Sequence, residues 1–184
     1  MLDNAKRRKA LFNTVFSALF LALAYLIPLL TGQVQSINAM FCPMHIPIFL
    51  CGAICGWQWG LAVGIIAPIS RSLILGMPLF FPTAVCMAFE LAAYGAIAGL
   101  MHKLLPKKKP YIYCSLVVAM IVGRLVWGLA SYLFVVGVKG GSFTLAAFFA
   151  GAVTNALPGI ILQIILVPVL VMAAERFKFL NFED

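Results

Sequence analysis

Apolar residues fall into six blocks, at about 11–30, 43–56, 58–75, 83–102, 111–137 and 144–174, separated by short polar or Gly- and Pro-containing turns. A helix of about 20 mainly apolar residues crosses the roughly 30 Å hydrocarbon layer of a bilayer, so the blocks predict membrane-spanning helices. Lipid offers no partner for backbone polar groups, which leaves helices and closed barrels as spanning elements. Alternating ten-residue segments of the kind a barrel needs are missing here. The second block is short and opens with Pro43 and Pro47. The sixth is long and is expected to tilt or to begin with an interfacial turn. Trp57 and Trp59 bracket the second turn, where amphipathic rings suit a headgroup boundary. The expected fold is all-α and integral to the membrane: a compact bundle of six transmembrane helices forming a single domain over residues 1–184.

Composition agrees. The chain is 64% hydrophobic and 10% charged, with a mean hydropathy of +1.09, against about 25% charged residues in a soluble domain. The basic residues sort to alternate gaps. Lys6, Arg7, Arg8 and Lys9 precede the first block; His102, Lys103, Lys107, Lys108 and Lys109 separate the fourth from the fifth; Arg176 and Lys178 follow the sixth. The facing loops contain only Lys139. The positive-inside tendency then predicts both termini in the cytoplasm. Topology and contact with anionic lipid account for the net charge of +8. Nucleic acid is not expected as a partner, since no aromatic-basic patch exists outside the loops. The first block follows a basic flank, as a signal peptide would, but it is long enough to span. Thr31–Ser36 offers no convincing small-residue cleavage site, so a retained helix is expected.

Five cysteines, Cys42, Cys51, Cys55, Cys86 and Cys114, fall mostly inside the blocks. Cys51 and Cys55 share a helix face, but such a pair is half a metal site. They read as small packing residues, and neither a metal nor a cofactor is expected. The odd count argues against a disulfide framework. Gly52, Gly56, Gly60 and Gly64 recur every fourth residue, and Gly95 and Gly99 repeat the spacing in the fourth block. Such stripes let helix backbones approach closely, here within the chain's own bundle. Ala18 and Ala22 form a similar stripe on the first helix, which can equally dock another protein.

Charges inside spans are costly and persist where they pair or line a wet cavity. Three stand out: Arg71, Glu90 and Arg124. With Asn155, which precedes an expected kink at Pro158, all reach the half of the bundle facing outward; Gln163 lies deeper. An ion pair of Glu90 with Arg124, or of Glu90 with Arg71, would staple helices together. One carboxylate cannot neutralise two guanidiniums, however, and the positive surplus suits an anionic or acceptor-rich ligand. Arg124, Trp127 and Ser131 share one face of the fifth helix, and Glu90 and Tyr94 one face of the fourth. Aromatic walls around a few directed polar groups describe a small-molecule site. The outer segment Thr31–Phe41 adds Gln33, Gln35, Ser36 and Asn38 as a candidate lid, followed by His45, a local hydrogen-bonding group rather than a catalyst. The expected substrate-binding set is Arg71, Glu90, Tyr94, Arg124, Trp127, Ser131, Asn155, Gln33, Asn38 and His45.

The whole chain resembles the substrate-binding S-components of energy-coupling factor (ECF) transporters, the group-II vitamin importers of bacteria. The resemblance rests on the six-block layout, the basic N-terminus and the run Ala10-Leu11…Ala18-Leu-Phe-Leu-Ala22. It rests also on Met44-His-Ile-Pro-Ile-Phe-Leu-Cys-Gly-Ala-Ile-Cys-Gly56, followed by Gly60-Leu-Ala-Val-Gly64. It implies a high-affinity receptor in the bacterial cell membrane that captures a vitamin or related micronutrient from outside. It implies as partners a transmembrane coupling protein, docked on Ala18 and Ala22, and two cytoplasmic ATPase subunits. Toppling of the loaded subunit in the membrane is the movement the family implies. Arg71 and Arg124 favour a carboxylate or phosphate, so pantothenate is the first candidate, with pyridoxine-type, folate, riboflavin and biotin-type ligands open.

The chain lacks a Gly-rich phosphate loop ending in Gly-Lys-Ser/Thr, so ATP must be used by a partner. An enzyme is not expected. His45 and His102 lie toward opposite membrane faces and cannot share a protease site, and one intramembrane carboxylate is too few for the metal ligands of a lipid alcohol transferase. A proton-coupled carrier is the remaining alternative, but no inverted repeat with paired broken helices is evident.

Overall fold

The computed structural model describes residues 2–30, 40–106, 109–138 and 140–176, and among them there is no strand. The helices are α1 (Leu2–Leu30), α2 (His45–Cys55), α3 (Trp57–Leu75), α4 (Val85–Leu104), α5 (Lys109–Tyr132), α6 (Leu145–Phe149) and α7 (Leu157–Arg176). Wider π-type turns lead into α4 (Phe80–Ala84), extend α5 (Leu133–Val138) and continue α6 (Ala150–Thr154).

Five segments are long and apolar enough to cross a membrane: Lys6–Leu30, Trp57–Leu75, Phe80–Leu104, Lys109–Val138 and Leu157–Arg176. Five of the six expected spans have such a segment, and two blocks differ from the expected form. The block at 43–56 yields only the 11-residue α2, about 16 Å long at 1.5 Å per residue and too short to span alone. Gly56 ends it at φ 97°, with its N–H on the Gly52 carbonyl at 3.1 Å, and α3 starts at the next residue. The block at 144–174 is broken at 155–156. Pro158 lacks an N–H and its ring crowds the preceding turn, so it is accommodated in the first turn of a new helix rather than inside one.

The glycine stripes explain how the helices approach. A Cβ on Gly60 would sit 2.6 Å from the Gly95 carbonyl oxygen, and one on Gly99 would sit 2.5 Å from the Trp57 nitrogen. Gly52 likewise abuts Gly95, and Gly64 abuts the backbone of Leu91. The small-residue faces of α2, α3 and α4 therefore pack on one another with backbones in contact. The pairings also set direction. α2 runs beside α4 in the same sense, turns at Gly56 and returns as α3, antiparallel to α4. Across α4, Ser115 donates to the Ala98 carbonyl at 3.2 Å and Gly123 faces the Tyr94 ring, so α5 is antiparallel too.

His102 and Glu175 meet at 3.5 Å, bringing the C-terminal ends of α4 and α7 to one end of the bundle, the basic end. α2 is buried on nearly every side, with Ile48, Phe49 and Cys51 at its centre. α1 is the least enclosed span, 17% buried against 28–50% for the others. Leu11, Val15, Ala18, Ala22 and Leu26 make its outward face.

Candidate functional site

One buried carboxylate organises the half of the bundle away from the basic end. Glu90 is 2% exposed, on the side of α4 that faces α2 and α5. Its Oε1 accepts from the Tyr94 hydroxyl at 3.0 Å, one helical turn along. It takes Arg124 Nη1 of α5 at 3.0 Å and His45 Nε2, from the first residue of α2, at 3.5 Å. Three helices thus converge on one oxygen. Glu90 pairs with Arg124, so of the two pairings open to it, that with Arg71 is not formed.

Tyr94 is fully buried and holds this arrangement through its ring as well as its hydroxyl. It lies 4.8 Å from the Phe49 ring and 5.1 Å from the His45 ring, centre to centre. Its other face rests on Gly123, where a side chain would collide with the ring. Gly123 is thereby what lets the neighbouring Arg124 approach α4.

Two participants were not in the expected set. Cys42 adopts φ 47°, in the left-handed region. Its carbonyl accepts from the His45 N–H at 3.0 Å and from Gln163 Nε2 of α7 at 3.5 Å, while its Sγ lies 3.8 Å from Arg124 Nη2. Gln163, 1% exposed, is legible as a polar residue in an otherwise apolar run. Cys42 carries no such signal, because its contribution is mainly a backbone carbonyl.

Arg71 stands apart. It occupies the last turns of α3, is 2% exposed, and donates from Nε to the Met77 carbonyl at 3.2 Å. Its Nη1 is buried without a partner among the described residues. No ion pair joins it to a described carboxylate, and the sequence explains why: Glu90 is the only acid between Asp3 and Glu175, and Arg124 engages it. The positive surplus expected from two guanidiniums and one carboxylate therefore falls on Arg71.

The remaining expected residues are placed elsewhere. Trp127 meets Phe143 edge-on and Phe148 at a tilt, ring centres 6.1 and 6.2 Å away, and lies against Gly151, making an aromatic joint with the α6 region. Ser131 is buried on α5 and has no charged partner among the described residues. Asn155 is exposed at the break before α7, so it does not join the charged network. Gln33 and Asn38 lie outside the described residues. Among the described residues, no cluster of His, Cys, Asp or Glu could hold a metal ion.

No curated protein and no solved structure matches the chain. A family model does: that of the ECF transporter substrate-specific component, over residues 12–171. With apolar helices of spanning length around a polar interior, the chain belongs to the substrate-specific components of ECF transporters, multi-pass membrane subunits that bind the transported substrate and are not enzymes.

Proposed function

We propose that this subunit captures an anionic, vitamin-like micronutrient from outside a bacterial cell, with Arg71 as the anchor for the anion and pantothenate as the first candidate. The observation that carries this reading is a buried guanidinium without a carboxylate partner among the described residues. An uncompensated buried charge costs several kcal/mol, about the scale of a domain's whole stability margin. A ligand carboxylate or phosphate recovers that cost and can take two parallel hydrogen bonds from the guanidinium. Glu90, Tyr94, Arg124 and His45 form a separate polar network between α2, α4 and α5.

In this reading both termini are cytoplasmic, and the network half of the bundle faces outward. ATP-driven uptake depends on a transmembrane coupling protein and two ATPase subunits, with the exposed Ala18–Ala22 face of α1 as the dock. A proton-coupled carrier is disfavoured because Glu90, the intramembrane acid, is engaged by three donors at once.

The test is calorimetric titration of the purified chain in nanodiscs with pantothenate and with its primary amide, which lacks the charge. The wild type should prefer the carboxylate by about 10- to 100-fold, the scale of a charge-assisted hydrogen bond. Arg71→Gln should abolish that preference. Equal binding of acid and amide by the wild type would rule out the anion anchor.

A further inference from the structure

A second set of unmatched buried groups belongs to one network. Gln163 Nε2 faces the Cys42 carbonyl. A carbonyl only accepts, so the amide must present its nitrogen there, which leaves Oε1 buried with no partner among the described residues. The same logic orients His45. The Glu90 carboxylate only accepts, so Nε2 of His45 carries the hydrogen toward it, and whenever the ring is neutral its Nδ1 is a bare acceptor. Nδ1 too is buried and unmatched among the described residues. Arg124 uses Nη1 on Glu90 and Nη2 on Cys42, and its Nε–H, a donor, has no partner among the described residues. α2, α5 and α7 thus each contribute one unmatched polar atom to a network joined through Cys42 and Glu90.

Each such atom costs about 1–3 kcal/mol when buried unpaired, and interiors keep few of them. The set is also chemically directed. With the His45 ring neutral, the two acceptors disfavour a second anion, and together with the one donor they suit a neutral group with N–H or O–H hydrogens and an oxygen of its own. We infer that this network is a second ligand subsite, formed by Gln163 Oε1, His45 Nδ1 and Arg124 Nε, that takes a hydroxyl or secondary amide of the substrate. The inference rests on the reading of Arg71 as the anion anchor. Together the two subsites select a bipolar substrate, with a carboxylate or phosphate at one end and a neutral hydrogen-bonding segment at the other. A simple apolar carboxylate satisfies only the first.

The experiment measures binding of pantothenate, folate and biotin to the full chain in nanodiscs. Each is compared with an analogue methylated at its N–H and O–H donors and with its carboxamide. The wild type should bind a parent compound about tenfold or more above its donor-blocked analogue, one hydrogen bond's worth of discrimination. Gln163→Leu and His45→Phe should bring that ratio toward one while the preference for carboxylate over carboxamide persists. The wild-type comparison does not depend on either variant folding. If the carboxylate preference is present but blocked and unblocked compounds bind equally, water fills the network, and the subsite is overturned while the anion anchor stands. If no parent carboxylate binds, the anchor fails and the subsite fails with it.

Discussion

Replacing Arg71 with Leu should stabilise the empty protein and disable the receptor. Arg71 is 2% exposed, makes one hydrogen bond to the Met77 carbonyl at 3.2 Å, and leaves Nη1 unmatched among the described residues. Losing that bond forfeits about 1.5–3 kcal/mol. Against this stands the cost of a guanidinium buried without a counter-charge, several kcal/mol. Leu also fills part of the vacated volume with apolar contact, worth about 25 cal/mol per Å². The difference favours Leu by about 1–3 kcal/mol, within the range seen when buried ionic groups are replaced by apolar ones. For a chain of this length each kcal/mol moves Tm by about 2–4 °C. Thermal unfolding in nanodiscs should therefore show the ligand-free variant melting roughly 2–12 °C above the wild type. Adding pantothenate should raise the wild-type Tm and leave the variant's unchanged. A variant that melts lower than the wild type when empty, yet still gains stability from ligand, would identify Arg71 as a structural staple and refute the reasoning.

Three further outcomes are expected. Glu90→Leu alone should destabilise the chain by about 3–5 kcal/mol, because Arg124 is left buried without its carboxylate, whereas Glu90→Leu with Arg124→Leu should return to within about 1 kcal/mol of wild type; a double-mutant cycle by thermal or denaturant unfolding measures this, and additive losses would refute the pairing. Gly60→Leu should sharply reduce the yield of folded monomer on size-exclusion chromatography, since even a Cβ there meets the Gly95 carbonyl oxygen at 2.6 Å; normal yield and Tm would contradict the backbone contact. Ala18→Trp adds bulk to the exposed face of α1, so ligand binding should persist while co-purification with the coupling protein and ATP-driven uptake decline; intact assembly would exclude that face as the dock.

Much of the site was legible because a hydrocarbon solvent makes polar residues conspicuous. Glu90, Arg124 and Arg71 are prominent in any reading of this chain, and Tyr94 follows from its place one turn after Glu90. Which arginine takes the carboxylate was not legible. That depends on how α3 and α5 are rotated and displaced against α4, and helical period alone leaves both options open. Trp127 shares a face with Arg124 by spacing, yet its ring packs against those of Phe143 and Phe148 because the α6 region lies over it. Cys42 was invisible as a site residue, since a carbonyl made available by a left-handed backbone leaves no mark in residue chemistry.

By itself the chain's pattern determined a helical membrane protein, the segregation of its basic loops and the stoichiometry of two arginines to one acid within the apolar blocks. These are one-dimensional quantities: run length, loop charge and count. The tertiary structure decided that α2 is a buried half-length helix, that Glu90 belongs to Arg124, and that Arg71 is left without a counter-charge among the described residues. Those outcomes turn on which helix faces meet, and the close glycine contacts of α2, α3 and α4 set that only once the three helices are packed together.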